Sequence, residues 1–317
     1  MKILVTGGAG FIGSNLVDKL LAKKYEVIVI DNLNDYYDIN RKKSNLKNAL
    51  KNPNFKFYKC DIMDLNSLKK IFKKEKIDKI VHLAARAGVR PSLKEPIFYL
   101  RNNCEGTINL LELAKENKIK KFIFGSSSSI YGNSKQIPFS EISKSDMPIS
   151  PYAATKKASE LLCYVYHSLY NLEVINLRFF TVYGPRGRPD MAIYKFIDKI
   201  YHNKAITLYG DGSSKRDYTY INDIINGIML SLDSNIKYGT YNLGNSQMIE
   251  LKVLIEIIER ILNKKAIKDY RAMNPGDVNL TFADLKNSCN DLGYQPIINI
   301  EEGIKRTIEW YLKEAEK

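Results

Sequence analysis

A glycine-rich stretch at the start of the chain constrains the fold more than any other feature. It reads Ile3-Leu-Val-Thr-Gly-Gly-Ala-Gly-Phe-Ile-Gly13, a short apolar run that breaks into closely spaced glycines and then into a helical pattern. This order predicts a strand, a tight turn and a helix that begins near Phe11. Gly7 and Gly8 can take backbone angles closed to other residues, and Gly10 lacks the Cβ that would block a pyrophosphate. Gly13 would let the helix lie close to the strand. We therefore predict a phosphate-binding corner, against the alternative of a glycine-rich turn in some other α/β protein.

The next predicted strand ends in a carboxylate. Residues 27–30 form a buried apolar run, and Asp31 follows it, 18 residues after Gly13. At this position a carboxylate accepts hydrogen bonds from an adenosine ribose and repels a 2′-phosphate. The spacing therefore predicts a dinucleotide site that prefers NAD to NADP.

The composition is typical of a globular protein. The chain has 317 residues, of which 44% are hydrophobic and 26% are charged, enough for one large domain or two modest ones. No run of about 18 apolar residues is present, so we expect no membrane span. The N-terminus enters the first predicted strand at once, without a leader pattern, which favours a cytoplasmic enzyme.

Two further classes of protein are disfavoured. The cysteines lie far apart without a CxxC pattern or a nearby histidine cluster, which argues against a metal site and against a disulfide framework. The net charge of +14 could suit a nucleic acid partner. However, the lysine pairs are scattered, and no aromatic residues alternate with them as a stacking platform would need. We expect a solvated, lysine-rich surface that would also help to collect an anionic substrate.

The apolar pattern predicts an α/β fold in two parts. Over residues 1–182 short strands alternate with amphipathic helices, which indicates a doubly wound, parallel, Rossmann-type sheet with ligands at the carboxyl ends of its strands. The predicted strands are 2–6, 26–31, 55–60, 79–83, 121–126 and 173–177, and the predicted helices are 11–23, 65–75, 102–115 and 152–170.

Beyond residue 182 the pattern loosens. We predict helices at 193–202, 251–262 and 304–313, strands at 206–209 and 241–243, and a segment at 217–232 that starts extended and becomes helical. We expect residues 183–317 to form a smaller α/β lobe for the substrate, with some segments returning to the first domain. The substrate would then lie in the cleft between the two parts.

Two patterns carry groups that could act on a substrate. Tyr152-Ala-Ala-Thr-Lys156 places a phenol and an ammonium on one face of a predicted helix. The lysine can lower the pKa of the tyrosine, which makes the phenolate a usable base near neutral pH. Upstream, Gly125-Ser-Ser-Ser-Ser129 follows a buried strand, where four hydroxyls suit substrate binding better than packing. Either pattern alone is weak, since the chain has 21 tyrosines and a serine cluster can be only a turn.

Four features taken together make the chain resemble a known family: the glycine loop, the acidic strand end, the serine-rich strand end and Tyr-xxx-Lys. In this order the chain resembles the extended short-chain dehydrogenase/reductase family, especially its nucleotide-sugar epimerases and dehydratases, over nearly its whole length. Other positions that match are Asn103, Tyr131-Gly132, Ser150-Pro151-Tyr152, Leu177-Arg178-Phe179 and Arg216-Asp217-Tyr218 with Asp223. Within the family it is most similar to the UDP-glucuronate 4-epimerases, on Asn34-Asp-Tyr-Tyr-Asp38, Arg86-Ala-Gly-Val-Arg90 and Gly184-Pro-Arg-Gly-Arg-Pro-Asp-Met-Ala192.

The resemblance implies a role for each member of the site. Tyr152 would be the base, Lys156 would bind the nicotinamide ribose and tune Tyr152, and Ser127 would share the hydrogen bond to the sugar 4-hydroxyl. The implied reaction inverts carbon 4 of a UDP-uronic acid through a transient 4-keto sugar, with NAD regenerated. The candidate cofactor residues are Gly7, Gly10, Phe11, Ile12, Gly13, Asp31, Asn32, Asp61, Ile62, Leu83, Ala84, Ala85, Asn103, Tyr152 and Lys156, with Asp61 at the adenine amino group and the two alanines leaving room for the cofactor.

A uronic acid adds a chemical constraint, because a 4-keto sugar with a carboxylate on carbon 5 is a β-keto acid that is inclined to lose carbon dioxide. We expect the hydroxyls of Ser127, Ser128 and Thr181, with Arg188 nearby, to hold that carboxylate away from the orientation that favours its loss. Arg188 could also be a solvated loop residue.

The nucleotide half of the substrate is assigned by resemblance alone. Arg216 would bind the diphosphate, Tyr209 would lie beside the uracil and Asp277 would bind the uridine ribose, with Arg90 as a further candidate. An arginine usually precedes the Pro-Gly-Asp motif of UDP-glucose epimerases, but this chain has Asn274 there, which weakens the expectation of one diphosphate contact.

Several alternatives stay open. The 4,6-dehydratases carry Asp-Glu where this chain has Ser128-Ser129, and the UDP-glucuronate decarboxylases carry a glutamate at Ser129 and lack the Arg-Pro-Asp-Met run, so neither is favoured. UDP-glucose 4-epimerase is the main alternative, since only loop residues separate the two substrates. A non-catalytic nucleotide-binding protein is the alternative from another class. The family also implies a homodimer through helices 102–115 and 152–170, in which we expect apolar residues beyond one core face.

Overall fold

The centre of the protein is a seven-stranded parallel sheet. A computed structural model describes residues 1–143, 145–272 and 280–315. The strands are β1 (Lys2–Thr6), β2 (Glu26–Asp31), β3 (Phe55–Lys59), β4 (Lys79–His82), β5 (Lys121–Ser127), β6 (Glu173–Phe179), β7 (Thr181–Tyr183), β8 (Ile206–Tyr209), β9 (Lys215–Tyr220), β10 (Tyr238–Leu243), β11 (Met248–Glu250) and β12 (Lys268–Arg271). The large sheet has the order β10-β6-β5-β4-β1-β2-β3, and every neighbouring pair in it is parallel. The predicted doubly wound α/β class is confirmed.

Helices cover both faces of this sheet. The α-helices of the described residues are α1 (Phe11–Ala22), α2 (Ile39–Leu46), α3 (Leu65–Lys74), α4 (Val89–Lys94), α5 (Pro96–Leu100), α6 (Gly106–Glu116), α7 (Pro151–Tyr170), α8 (Ala192–Tyr201), α9 (Ile221–Asp233), α10 (Leu251–Leu262), α11 (Lys286–Leu292) and α12 (Ile300–Ala315). Val5 of β1 packs with Leu16 of α1 in one core, whereas Leu4 packs with Leu110 of α6 in the other. Because successive side chains of a strand point to opposite faces, the central strands are buried on both sides.

Local sequence fixes the start of helix α7, which carries Tyr152 and Lys156. Ser150 accepts a hydrogen bond of 3.2 Å from the Ala153 N–H, and Pro151 occupies the first turn, where its missing N–H costs no helix bond. Tyr152 therefore lies in the first turn of α7, and Lys156 lies one turn later.

The second half of the chain forms two small sheets and also contributes to the large one. Strands β11, β9 and β7 form a three-stranded sheet, and β12 pairs in parallel with β8. Strand β10 lies beside β6 at the edge of the large sheet, with Thr240 opposite Asn176. Within the described ranges, no helix combines the length and the apolar character that crossing a membrane requires.

The region around the predicted helix 102–115 differs from the expectation in two ways. Its start is π-helical over Arg101–Glu105, and the α-helix follows over Gly106–Glu116. We expected apolar residues on it to be exposed beyond one core face, but its large apolar side chains are not exposed, and Leu110 and Leu111 are buried in the core. The exposed apolar residues instead precede it in α5, where Ile97 is 72% exposed, and continue on α7, where Leu169 is 65% exposed. Helices α2, α4, α5 and α11 and strands β7, β11 and β12 are not predicted, because such short elements show too few repeats of any period.

Candidate active site

A cavity of about 350 Å³ opens at the carboxyl ends of the parallel strands. The predicted residues that line it are Gly7, Gly10, Phe11, Ile12, Gly13, Asp31, Asn32, Ile62, Leu83, Ala84, Ala85, Ser127, Ser128, Tyr152, Lys156, Thr181 and Arg188. Open α/β sheets bind their ligands at this edge. The structure therefore brings the predicted phosphate corner, the predicted base and the predicted carboxylate-binding residues into one cleft.

The glycine turn forms a cradle that side chains would fill. Gly7 has a φ of +69°, and its carbonyl accepts a hydrogen bond of 3.1 Å from the Gly10 N–H. A Cβ on Gly13 would lie 2.2 Å from the Gly7 carbonyl oxygen, and one on Gly10 would lie 3.2 Å from the same atom. No side chain in the described ranges caps α1, so its first-turn N–H groups suit an anionic ligand. This cradle fits the diphosphate of a dinucleotide.

Asp31 lies at the end of β2 and is 8% exposed. Its two carboxylate oxygens accept hydrogen bonds of 3.1 Å from the Ala9 N–H and 2.9 Å from the Leu33 N–H. Burial raises the pKa of Asp31, although these hydrogen bonds oppose the effect. Each oxygen has a second lone pair, so the carboxylate fits the predicted ribose contact. Asn32 beside it donates a hydrogen bond of 2.8 Å to Asp61, and Asp61 itself does not line the cavity.

Side chains hold the loop after β4 from behind. Thr6 accepts a hydrogen bond of 3.2 Å from the Ala84 N–H. Asn103, in the π-helical turn, accepts a hydrogen bond of 2.7 Å from the Arg86 N–H and donates one of 3.1 Å to the Arg86 carbonyl. The predicted cofactor residue Asn103 thus lies behind the cavity wall, where it shapes the loop, and its neighbour Asn102 lines the cavity.

Tyr152, Ser127 and Lys156 meet at the carboxyl end of β5. The Ser127 hydroxyl lies close enough to the Tyr152 phenol to lower its pKa. The Lys156 ammonium donates a hydrogen bond of 2.6 Å to the Gly125 carbonyl and is 4% exposed. The structure therefore places the predicted base beside its predicted hydroxyl partner, with the amine held against the strand below.

The environment shifts the pKa of both titratable groups. Burial raises the pKa of Tyr152, whereas the nearby Ser127 hydroxyl and the positive charge of Arg188 lower it. Burial lowers the pKa of Lys156 to about 8. The sequence predicts that Lys156 lowers the pKa of Tyr152. In the structure Ser127 and Arg188 lower the pKa of Tyr152, and the Lys156 ammonium donates to a strand carbonyl. The effect of Lys156 on Tyr152 stays a prediction.

A buried ion pair next to Tyr152, Ser127 and Lys156 fixes the position of their helix and strand. Arg178 donates hydrogen bonds of 2.9 and 2.8 Å to the two oxygens of Glu160, and their side chains are only 4% and 5% exposed. Glu160 also accepts a hydrogen bond of 2.6 Å from Ser126. Since Glu160 lies one turn after Lys156 and Ser126 precedes Ser127, the pair ties the helix of the base to the strand of the serines.

The far end of the cavity carries the groups predicted to bind a carboxylate. Ser128, Thr181 and Arg188 all line it. The Nε and Nη2 atoms of Arg188 lie 2.9 and 2.6 Å from the two carboxylate oxygens of Asp190. One edge of the guanidinium is therefore already paired.

Three other predicted substrate residues that the structure describes do not line this cavity: Arg90, Tyr209 and Arg216. The Arg90 guanidinium lies 4.2 Å from the centroid of the Tyr209 ring, so these two residues contact each other. Arg216 donates a hydrogen bond of 2.9 Å to the carbonyl of the preceding residue. Asp277 and the neighbouring Asn274 fall outside the described residues.

Sequence reasoning missed several residues that line the cavity. Tyr36 and Tyr37 follow β2, Arg86 follows β4, and Lys42 reaches in from α2. The Tyr37 hydroxyl is buried and has no hydrogen-bond partner among the described residues, which is consistent with a partner atom on a bound ligand. The sequence shows the runs 34–38 and 86–90 as marks of the family. Because a loop has no periodic pattern, the sequence does not predict that their side chains line the cavity.

Known proteins resemble the chain over nearly its whole length. A family model described as GDP-mannose 4,6 dehydratase matches residues 4–307. The UDP-glucuronate 4-epimerase of Thermodesulfobacterium geofontis is 48% identical, over 97% of this chain and 95% of its own length.

Solved structures are similar in fold as well as in sequence. The UDP-glucuronic acid 4-epimerase of Bacillus cereus, in complex with UDP-glucuronic acid and NAD, has a TM-score of 0.94 and 37% identity, over 99% of this chain and 100% of that one. The UDP-glucose 4-epimerase of Thermotoga maritima, with UDP-glucose, has a TM-score of 0.92 and 32% identity, over 99% and 100%. The chain therefore belongs to the GDP-mannose 4,6-dehydratase family within the extended short-chain dehydrogenases/reductases, as the sequence predicts.

Proposed function

We propose that the chain is a UDP-glucuronate 4-epimerase, which inverts carbon 4 of the sugar with NAD as its resident cofactor. One observation carries the proposal: a single cavity combines a glycine cradle, the cluster of Tyr152, Ser127 and Lys156, and the guanidinium of Arg188. The similar proteins of T. geofontis and B. cereus bear this name, and the B. cereus structure contains UDP-glucuronic acid and NAD.

The residues on the cavity wall fit the cofactor. The glycine turn would receive the diphosphate, Asp31 would bind the adenosine ribose, and Lys156 would bind the nicotinamide ribose. Bound NAD would supply a hydride acceptor at carbon 4 and then return the hydride. The small side chains of Ala84 and Ala85 leave room for it at the end of β4.

Tyr152 would move the proton. Its phenolate takes the proton of the 4-hydroxyl as the carbon–hydrogen bond breaks, and its phenol returns a proton to the 4-oxygen after the sugar has turned. The nearby Ser127 hydroxyl and the charge of Arg188 both favour the phenolate, against the burial that disfavours it. Ser127 also shares the hydrogen bond to the reacting oxygen.

The carboxylate of the uronic acid must keep a fixed orientation while carbon 4 is a ketone. The hydroxyls of Ser127, Ser128 and Thr181 and the guanidinium of Arg188 offer donors at one end of the cavity. Carboxylates bound by charged and hydroxyl donors keep a fixed orientation. We propose that these contacts keep the bond between carbon 5 and the carboxylate out of alignment with the ketone π system, which suppresses decarboxylation.

The nucleotide half would be held by the second part of the chain. We propose that residues 1–182 hold the cofactor and that residues 183–317 hold the uridine diphosphate, with Arg216, Tyr209 and Asp277 as its ligands and Arg90 reaching across. The contact of Arg90 with Tyr209 joins a residue of the first part to one of the second and supports a common ligand for the two.

Incubation with UDP-glucuronate and separation of the products tests the proposal. UDP-galacturonate is the expected product, and a Tyr152→Phe variant should bind UDP normally but turn over about a hundredfold or more slowly. UDP-xylose or its 4-keto precursor would identify a decarboxylase. An absence of turnover would favour a nucleotide-binding protein.

UDP-glucose 4-epimerase is the second candidate, and its similarity to the T. maritima enzyme supports it. The two candidates differ in the predicted role of Arg188. An Arg188→Ala variant should raise the KM for UDP-glucuronate far more than it weakens the binding of UDP-glucose, and equal losses on both would contradict the carboxylate role.

A homodimer in the cytoplasm completes the proposal. Exposed apolar residues on α5 and α7, among them Ile97, Leu161 and Leu169, form a surface that a second copy could cover. No large apolar residue of α6 is exposed, so the contact would be built from α5 and α7 rather than from α6.

A further inference from the structure

The loop that carries Arg188 is held firmly on its outer side. The Arg186 guanidinium lies 2.7 Å from the Asp18 carboxylate on α1, and Asn15 of the same helix donates a hydrogen bond to the Pro185 carbonyl. The Met191 N–H then donates to the Arg188 carbonyl at 3.2 Å, just before α8 begins. The backbone of residues 185–191 therefore has a fixed position, and the direction of the long Arg188 side chain is decided by what its guanidinium contacts.

Asp190 contacts one edge of that guanidinium. Its carboxylate oxygens lie 2.9 Å from Nε and 2.6 Å from Nη2 of Arg188, a bidentate pairing with strong geometric specificity. The other edge of the guanidinium, which includes Nη1, is left for other acceptors. Arg188 lines the cavity whereas Asp190 does not, so Asp190 grips the guanidinium from behind.

An aromatic ring supports the same pair. The Arg188 guanidinium lies 5.4 Å from the centroid of the Tyr36 ring, and the Tyr36 hydroxyl lies 3.5 Å from Asp190. Arg86 lies 4.4 Å from the same centroid. These contacts limit the orientations of Arg188, which as a free side chain would lose much rotamer entropy on binding a ligand.

We propose that Asp190 is a positioning residue that sets the preference of the site for an anionic sugar. Asp190 holds the Nε–Nη2 edge of Arg188, so that the Nη1 edge faces the sugar carboxylate before the substrate arrives. This inference rests on the proposed function, because it concerns the uronate end of the same cavity.

The test compares three variants of the full-length protein with its cofactor. Asp190→Asn should raise the KM for UDP-glucuronate about tenfold, since an amide has a single acceptor oxygen and no charge with which to hold the guanidinium. The inhibition constant of UDP-glucose, which has no carboxylate, should change less than about twofold. Asp190→Glu, which restores the charge, should recover part of the loss. Glu301→Gln removes an exposed ion pair with Arg260, away from this loop, and should leave both constants unchanged.

A double variant tests whether Asp190 acts through Arg188. If it does, Arg188→Ala/Asp190→Asn should have the same KM for UDP-glucuronate as Arg188→Ala alone. Additive effects would overturn the inference, as would equal losses of UDP-glucuronate and UDP-glucose binding. A lower KM in Asp190→Asn would also overturn it, because Asp190 would then compete with the substrate. If the unaltered protein does not epimerise UDP-glucuronate, the proposed function fails. If it does and Asp190→Asn is unchanged, only the inference about Asp190 fails.

Discussion

Replacing Glu160 with Gln should destabilise the protein by about 3 kcal/mol, near the lower end of the range for breaking a buried ion pair. Glu160 and Arg178 are 5% and 4% exposed, so the variant leaves a guanidinium buried with one neutral acceptor in place of a carboxylate. The loss stays near the lower end because Arg178 keeps its hydrogen bond of 2.9 Å to Tyr131. Turnover should also fall, because Glu160 joins the helix of Tyr152 to the strand of the serines.

Urea denaturation followed by both fluorescence and circular dichroism gives the free energy of unfolding, provided that the two transitions coincide. Glu301→Gln is the matched control, because Glu301 and Arg260 are 60% and 62% exposed and their pair should contribute less than about 1 kcal/mol. Adding Arg178→Met to Glu160→Gln should recover part of the loss, since no buried charge then remains. A loss below about 1 kcal/mol in Glu160→Gln, equal to that of the control, would refute this reasoning.

Three further predictions follow from other parts of the structure. Gly13→Ala should abolish the retention of NAD, because its Cβ would lie 2.2 Å from the Gly7 carbonyl oxygen. Gly293→Ala is the control: a φ of +68° strains its new side chain, but no atom lies within 4 Å of the Cβ, so the variant should keep the cofactor measured after acid release. Burial raises the pKa of Glu75, but three donated hydrogen bonds outweigh it and lower the pKa from 4.5 to about 2. Its stabilising contribution is therefore present above about pH 4.5 and lost as the pH falls towards 2, so urea midpoints should drop more steeply over this range in the unaltered protein than in Glu75→Gln. Leu169→Asp, at a side chain that is 65% exposed, should convert the proposed dimer to a monomer in sedimentation velocity, and an unchanged sedimentation coefficient would exclude this face as the dimer contact.

The cofactor half of the site could be predicted from the sequence because its signals are local. The glycine turn, Asp31 at the end of the next strand and the Tyr152–Lys156 spacing each lie within one or two elements whose periods are clear. Parallel strands then bring their carboxyl ends to one edge, so the order of the motifs along the chain was enough to place them together.

The sugar end could not be predicted in the same way, since its geometry depends on loops that meet only in the folded protein. Asp190 lies two residues from Arg188, but its side chain could equally have faced solvent, and Tyr36 reaches the pair from a loop 154 residues away. The hydrogen bond from Lys156 to the Gly125 carbonyl is likewise a tertiary contact. An i,i+4 spacing shows that two side chains share a helix face but does not show which partner each of them prefers.

Strand β10 makes the two halves of the chain inseparable. It belongs by position to the part that follows residue 182, yet it forms the outer edge of the large sheet, and its Asn242 accepts a hydrogen bond of 2.7 Å from Tyr131 in the first half. A cut at residue 182 would leave β6 with a bare edge of unpaired N–H and C=O groups, a template for aggregation. Chimeras that exchange substrate lobes between relatives should therefore retain Tyr238–Leu243 together with its native neighbour β6. Such an exchange needs one junction before β10 and another after it, rather than a single crossover point.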